Sequence, residues 1–140
     1  MEKKIEGSCL CGNVKISSDG EPQMTAVCHC KSCQKQTGTA FSIVVGVAEH
    51  SLHLEGVEFL GEFVGQGDSG SKVSRKFCKN CGSPVFSVLE AFPGAAFIKA
   101  GTLEDTSWLA PNMHMWCDAS QPWISFPEDI PCFAKNPVSE

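Results

Sequence analysis

The sequence lacks tyrosine altogether and has few basic residues. Lys and Arg total 11 against 16 Asp and Glu, which gives a formal net charge of −5. Binding to nucleic acid through counterion release requires a concentrated basic surface, so we expect no nucleic-acid partner. No apolar run approaches the ~18 residues that span a membrane, and we expect no membrane partner either.

The residues after Met1 include no apolar stretch of the kind that directs secretion. Met1-Glu2-Lys3-Lys4 leads into polar and glycine residues, whereas a signal peptide needs an apolar core. The nine cysteines amount to about 6% of the chain, below the roughly 8–10% of a disulfide scaffold, and an odd number cannot pair completely. The sequence therefore predicts a cytoplasmic, reducing location, where clustered cysteines more often bind metal than form disulfides.

Sustained helical periodicity is also absent, which favours a mainly β protein. Apolar and β-branched residues occur in short runs separated by Gly, Pro and Ser, the pattern of strands joined by turns. The strongest run, 39–47, is predicted to be a central strand. Helical turns are expected at Lys31–Gln36 and at 101–105, the latter capped by Thr102. No repeat or linker divides the chain, so residues 1–140 are expected to form a single domain. Further strands are predicted around Val14–Ile16 and at Met24–Cys28, Ser51–Leu54, Val57–Val64, Lys72–Phe77, Val85–Leu89 and Ala95–Ala100.

The nine cysteines divide by spacing into three groups and two singles. Short spacings between thiols are typical of zinc ligands, because neighbouring donors add little loop-closure cost. Two pairs together supply the four donors of a closed, structural zinc site. The trio supplies three donors of a site with one position left for an exchangeable ligand. The pairs are Cys9 with Cys11 and Cys78 with Cys81, the trio is Cys28, Cys30 and Cys33, and the singles are Cys117 and Cys132.

The two pairs leave other interpretations open. They could be incidental or could form disulfides, although a reducing compartment favours a site of four thiolates. Cys9 and Cys11 would point to the same face if the chain were extended there, and Gly12 would let the backbone turn afterwards. Residues 78–82 read Cys-x-x-Cys-Gly, a turn in which backbone amides can donate to thiolates.

Two other interpretations of the trio are possible besides an open metal site. A fourth ligand from His29, His114, Cys117 or Cys132 would close it into a second structural site, and redox chemistry of the three thiols is the other alternative. His29 lies between two ligands, so its side chain is expected to point away from the ion. His114 is the best candidate for a pocket residue, with a structural histidine as the alternative. Cys117 and Cys132 are otherwise expected to be small buried hydrophobic residues.

A zinc ion held by three thiolates favours thiol chemistry. The thiolates place much negative charge on the ion, which weakens it as a source of hydroxide. Such a soft ion binds an incoming thiol as thiolate. We therefore predict two zinc ions per chain and catalysis at Cys28, Cys30 and Cys33, where a small thiol adds to a small electrophile such as an aldehyde. Five of the 11 basic residues flank the cysteines, where they offset thiolate charge, hold a carboxylate or simply face solvent: Lys31, Lys35, Arg75, Lys76 and Lys79.

Three cysteine motifs in this order resemble the glutathione-dependent formaldehyde-activating enzyme (GFA) family. The resemblance implies a mainly β fold of several small twisted antiparallel sheets around zinc sites, with few short helical turns. It also implies a structural zinc on the two pairs, a second zinc on the trio, and a carbon–sulfur lyase activity that joins glutathione to formaldehyde as S-(hydroxymethyl)glutathione. The motifs are Gly7-Ser8-Cys9-Leu10-Cys11-Gly12, Cys28-His29-Cys30-Lys31-Ser32-Cys33 with the run to Gly38, and Phe77-Cys78-Lys79-Asn80-Cys81-Gly82 with the run to Phe86, extended by Gly101-Thr102-Leu103 and a tail with His114, Trp116 and Trp123.

A second function remains open, that of a zinc-stabilised module which binds a protein partner without catalysis. It requires a closed second metal site and an exposed apolar patch, expected around Phe92, Trp108 or Trp116. Zinc storage or sensing is a third alternative. It differs from the others in that a mild chelator would readily remove the zinc of the trio.

Overall fold

Residues 5–67 and 70–137 are described by the computed structural model, and they form ten β-strands, one α-helix and short 3₁₀ turns. The helix α1 spans Lys31–Thr37, and none of the helices in these ranges has the length and apolar character needed to cross a membrane. The prediction of a mainly β protein is confirmed. The strands are β1 (Ile5–Ser8), β2 (Lys15–Ser18), β3 (Met24–Cys28), β4 (Ser42–Ala48), β5 (Leu52–Glu55), β6 (Leu60–Gln66), β7 (Lys72–Cys78), β8 (Pro84–Leu89), β9 (Ala95–Lys99) and β10 (Met113–Met115), and the 3₁₀ turns span Glu49–Ser51, Val57–Phe59, Ala100–Thr102 and Cys117–Ala119.

The strands form two sheets of unequal size. The larger sheet has seven strands in the order β10-β3-β4-β9-β8-β7-β6, and the smaller has the order β1-β2-β5. The pairings between these strands are antiparallel except that of β10 with β3, which is parallel. This late strand places residues 113–115 beside the strand that leads to the cysteine trio.

The two faces of the larger sheet have different roles, because side chains alternate between them along each strand. On one face Val45 packs in a buried core with Ile5 of the smaller sheet. On the other face Val44 and Phe97 pack in a second cluster with Cys28. The smaller sheet therefore covers one face of the larger sheet, and the other face adjoins the trio.

Most strand predictions are confirmed with small shifts of their ends. Strand β3 covers the predicted residues, and β4 lies inside the larger sheet as predicted for the strongest apolar run. The predicted strand at 57–64 begins instead as a 3₁₀ turn at Val57–Phe59, after Gly56 in the left-handed conformation with φ 79°. The helical turn expected at 101–105 ends at Thr102. The hydroxyl of this threonine donates to the Lys99 carbonyl instead of capping the start of a helix.

Helix α1 begins at the cysteine trio and is fixed there by side-chain hydrogen bonds. Cys30 is its N-cap, and the Cys30 Sγ accepts from the backbone N–H of Cys33. The buried Gln34 side chain donates to the carbonyl of His29 at 2.7 Å and to that of Ala119 at 3.0 Å. Because these partners lie on both sides of the helix in sequence, Gln34 joins the loop of the trio to the C-terminal segment.

Candidate metal centres and the adjoining cavity

Two pairs of cysteines that are far apart in the sequence meet in the structure. Cys9 and Cys11 lie just after β1, and Cys78 and Cys81 lie at the end of β7 and in the turn that follows. The four sulfur atoms lie within 4.8 Å of one another. The Sγ–Sγ distance is 3.6 Å between Cys9 and Cys11 and 3.7 Å between Cys11 and Cys78. Sulfur atoms bound tetrahedrally about 2.3 Å from zinc lie about 3.8 Å apart, whereas a disulfide is about 2.05 Å long, so the group fits zinc and not disulfides.

Hydrogen bonds to this four-cysteine group favour thiolates. The backbone N–H of Val14 donates to Cys9 Sγ at 3.3 Å, and the Ser83 hydroxyl lies 3.2 Å from Cys81 Sγ. Bonds from the Ser83 hydroxyl and backbone lower the pKa of Cys81 to about 5, whereas burial raises the pKa of Cys78 to about 11. Part of the group is therefore anionic at neutral pH, and binding of a metal ion would release the remaining protons.

Cys9 and Cys11 converge through a turn and not through the extended conformation considered above. The backbone N–H of Gly12 donates to the Cys9 carbonyl at 3.1 Å. Gly12 itself has a φ of 83°, a left-handed conformation that glycine adopts without steric cost. The turn brings both thiols to one side because it reverses the chain between them.

The trio of cysteines lies at the junction of β3 and α1. Cys28 ends the strand, Cys30 is the N-cap of the helix and Cys33 lies in its first turn. The three sulfur atoms lie within 4.8 Å of one another, and no His, Asp, Glu or further Cys within residues 5–67 and 70–137 joins them. The geometry offers a metal ion three sulfur ligands and leaves one position to a group other than these side chains.

The pKa values of the three thiols are shifted in different directions. Hydrogen bonds from Cys28 and Cys30, together with attraction from Lys99 and Arg75, lower the pKa of Cys33. The pKa of Cys28 is raised, because its hydrogen bonds to the other two sulfurs favour its protonated form. The charges of Lys99 and Arg75 thus favour the thiolate form within the trio.

A cavity of about 300 Å³ opens beside the trio, and all three cysteines line it. Trp116 and Asn136 form part of its wall, and the Trp116 indole N–H donates to Asn136 Oδ1 at 2.7 Å. Phe92 also lines the cavity. The predicted exposed patch around Phe92, Trp108 or Trp116 is wrong, because all three side chains are half-buried: two line the cavity and Trp108 packs against the main core.

Two buried cations line the same cavity. Arg75 and Lys99 are each 8% exposed. The Lys99 ammonium donates to Ser42 Oγ at 2.8 Å, and no carboxylate of the described residues forms an ion pair with either cation. In the sequence, Arg75 stands out only as one of five basic residues that flank the cysteines, and Lys99 does not stand out at all. The feature that could have indicated Lys99 is its position, because it is a lysine at the end of the otherwise apolar strand Ala95–Lys99.

His29 and His114 do not line the cavity. They bond to each other, with 3.0 Å between Nε2 of His29 and Nδ1 of His114, and both pack edge-on against Phe126. Burial lowers the pKa of each ring and thereby favours its neutral form. His29 bonds to His114 and not to the trio, as predicted. His114 contacts His29 and Phe126 outside the cavity, which favours the structural role over that of a pocket residue.

Cys117 and Cys132 are not buried, which corrects the expectation of two small core residues. Cys117 is half-buried and Cys132 is exposed. Partial burial and, to a lesser extent, the neighbouring Cys132 thiol raise the pKa of Cys117 to about 11. Because neither residue belongs to the trio's group, neither closes the second site.

A family model and several curated relatives match the sequence. The sequence model of the family described as glutathione-dependent formaldehyde-activating enzyme matches residues 4–119. An Aspergillus flavus protein that carries that name provisionally is 28% identical over 109 residues, which are 74% of this chain and 56% of that protein. An uncharacterised lyase of Schizosaccharomyces pombe is 28% identical over 97 residues, which are 69% of this chain and 66% of that protein. The chain thus spans between about half and two thirds of the length of these relatives.

A solved structure shares the fold. The crystal structure of a Rhodobacter sphaeroides protein superposes with a TM-score of 0.59 and covers 91% of this chain and 99% of that chain. The two sequences are 19% identical, so the likeness concerns architecture alone.

Proposed function

Because the chain belongs to the glutathione-dependent formaldehyde-activating enzyme family, we propose that it joins a small thiol to a small aldehyde such as formaldehyde at the cysteine trio. The observation that carries this proposal is the convergence of Cys28, Cys30 and Cys33 beside a cavity, without a fourth side-chain ligand from the described residues. The reaction is that of a carbon–sulfur lyase. Glutathione is the thiol that the family name indicates.

Two zinc ions would serve different purposes in this proposal. Four sulfurs close one site, which stabilises the meeting point of two distant turns. When bound by the trio, the other ion supplies a soft Lewis acid that keeps an incoming thiol in its thiolate form. The structural ligands are Cys9, Cys11, Cys78 and Cys81, and the ligands of the second ion are Cys28, Cys30 and Cys33.

The two buried cations make the cavity suitable for one further anion. Three cysteine thiolates carry three negative charges, of which a divalent ion offsets two. The charge that remains, together with that of one substrate thiolate, matches the positive charges of Arg75 and Lys99. Among the described residues no Asp or Glu lines the cavity, so no carboxylate of the lining competes for these cations.

The chemical step is an addition to a carbonyl group. The substrate thiol passes its proton to water when it binds, and its sulfur then attacks the aldehyde carbon. A carbon–sulfur bond forms, the π electron pair of the carbonyl moves to oxygen, and this oxygen takes a proton from water to become a hydroxyl. The reverse step breaks the same bond and releases the aldehyde. Apolar walls keep bulk water from the thiolate, and the cations hold its charge.

The proposal predicts that the protein accelerates exchange between a thiol and its hydroxymethyl adduct. Formaldehyde adds to thiols unaided, so the uncatalysed exchange rate is the baseline. We expect zinc-loaded protein to raise the rate by at least about 100-fold, a small acceleration for an enzyme, measured by two-dimensional exchange NMR with glutathione and with simple thiols. Exchange at the uncatalysed rate with every thiol would contradict the proposed function.

Replacing Lys99 by methionine should weaken thiol binding. Met fills a similar volume, but the variant loses one of the two charges that offset the bound thiolate. We expect the KM for the thiol to rise about ten-fold, the size of a partly screened interaction between unit charges. Lys76→Met is the matched control, because Lys76 pairs with Glu62 at 3.0 Å and does not line the cavity. Equal KM values in the two variants would argue against a role for Lys99.

A further inference from the structure

The cavity beside the trio is built mostly from apolar side chains. Its volume of about 300 Å³ lies at the lower end of the range for small-molecule pockets. Phe92 and Phe97 meet edge to face in its wall, with ring centroids 5.8 Å apart. Such walls favour a hydrocarbon group over water. The aliphatic and thioether side chains of the wall are Met24, Val44, Val73, Leu89, Met113 and Met115.

Five uncharged polar side chains line this cavity: Gln23, Gln36, Ser71, Ser87 and Asn136. Gln23 is exposed, Asn136 Oδ1 accepts from the Trp116 indole, and Ser87 contributes one buried hydroxyl. Gln36 lies three residues after Cys33 in α1, and its Oε1 is buried without a hydrogen-bond partner. An unpaired acceptor of this kind suits a single hydroxyl donor, which is what a hydroxymethyl product carries.

Glutathione would bring charges and amides that these walls do not match. In addition to its thiol it has two carboxylates, one ammonium group and two amides. Since none of the described residues in the lining is acidic, its ammonium group would find no counter-ion there. Once the trio holds a divalent ion, its remaining charge and that of one substrate thiolate already match the charges of Arg75 and Lys99. Burying unmatched amides and charges is strongly unfavourable.

We infer that the cavity selects thiols whose body is an uncharged hydrocarbon group about the size of a phenyl ring, an inference that rests on the proposed thiol chemistry at the trio. The sulfur lies at the trio, where Arg75 and Lys99 offset its charge. The hydrocarbon body lies against Phe92, Phe97 and the aliphatic walls. The hydroxyl of the product donates to Gln36 Oε1.

Three thiols that differ in the group attached to the sulfur test this inference. 2-Phenylethanethiol carries a phenyl ring, 2-mercaptoethanol has the same short linker with a hydroxyl in place of the ring, and glutathione has the charged peptide. We expect 2-phenylethanethiol to bind about 100-fold more tightly than 2-mercaptoethanol, the gain expected when a phenyl-sized group leaves water. Calorimetric titration of the zinc-loaded protein measures binding, and the KM of adduct exchange measures it independently.

A truncation within the cavity and one outside it locate the binding surface. Phe92→Ala removes a wall residue, so the Kd of 2-phenylethanethiol should rise about ten-fold while that of 2-mercaptoethanol stays unchanged. Phe63→Ala is the matched control, because Phe63 is 62% exposed on β6 and lies outside the cavity. Unchanged binding of 2-phenylethanethiol to the Phe92 variant, or an equal loss in the Phe63 variant, would overturn the inference.

The outcomes separate this inference from the proposed function. Tighter binding of 2-phenylethanethiol with accelerated exchange supports both. Accelerated exchange with glutathione bound as tightly as 2-phenylethanethiol, or more tightly, overturns the apolar selectivity and leaves the proposed function standing. Tight binding of 2-phenylethanethiol without accelerated exchange supports the selectivity and contradicts the proposed function.

Discussion

Cys78→Ser should destabilise the protein more than any other single cysteine replacement. Cys78 is fully buried at the end of β7 and belongs to the main core, so the variant loses one of the four sulfurs of the proposed structural zinc site inside the fold. Structural zinc contributes about 10–16 kcal/mol of apparent binding free energy in small domains. We expect the free energy of unfolding to fall by at least about 3 kcal/mol and the Tm by at least about 10 °C, measured by thermal denaturation.

A chelator distinguishes the destabilisation caused by loss of the metal from the destabilisation caused by loss of packing at Cys78. Removal of zinc from the wild type should lower its Tm towards that of Cys78→Ser, whereas the same chelator should change the variant little. Cys132→Ser is the matched control, because Cys132 is exposed and belongs to neither sulfur group. Its Tm should stay within about 2 °C of the wild type. A chelator that leaves the wild-type Tm unchanged would show that no structural metal ion is bound.

Cys30→Ser should abolish turnover while leaving the fold intact. Cys30 caps α1 by accepting from the Cys33 N–H at 3.3 Å, and serine is among the best residues at an N-cap. The variant therefore keeps the helix start but loses one soft sulfur of the proposed second zinc site. We expect adduct exchange to fall at least about 100-fold, towards the uncatalysed rate, with a Tm within about 3 °C of the wild type. The same exchange NMR and thermal denaturation experiments measure both quantities.

Replacement of a cysteine outside the trio controls for this result. Cys117→Ser removes a half-buried thiol that belongs to neither sulfur group, and its exchange rate should equal that of the wild type. Unchanged exchange in Cys30→Ser would count against catalysis at the trio. A large fall of the exchange rate in Cys117→Ser would instead place the reaction elsewhere.

The cysteine groups could be predicted from the sequence because their chemistry is local. Spacings of two and three residues assign seven of the nine thiols to groups, and the structure brings together the same two sets. The apolar run of β4 predicted an interior strand for the same reason, since the signal lies within the strand itself. Local patterns of this kind do not depend on how distant strands pair.

The cations and the cavity could not be predicted in this way, because strand register places them. Lys99 faces the trio since β9 pairs with β4 in a register that sets Lys99 opposite Val44, and Arg75 of β7 lies opposite Ser87. A shift of either strand by one residue would turn the cation to the other face. The three-residue strand β10 pairs in parallel with β3 across about ninety residues of chain, and nothing in its own short sequence indicates that partner.

Zinc content per chain, measured on the purified wild type and on Cys30→Ser, tests the central claim most directly. Two separate sulfur groups, one closed and one with a vacant position, predict about two zinc ions in the wild type and about one in the variant, with the Tm preserved. About one ion in both proteins would contradict the account, because the trio would then hold no metal to which a thiol could bind.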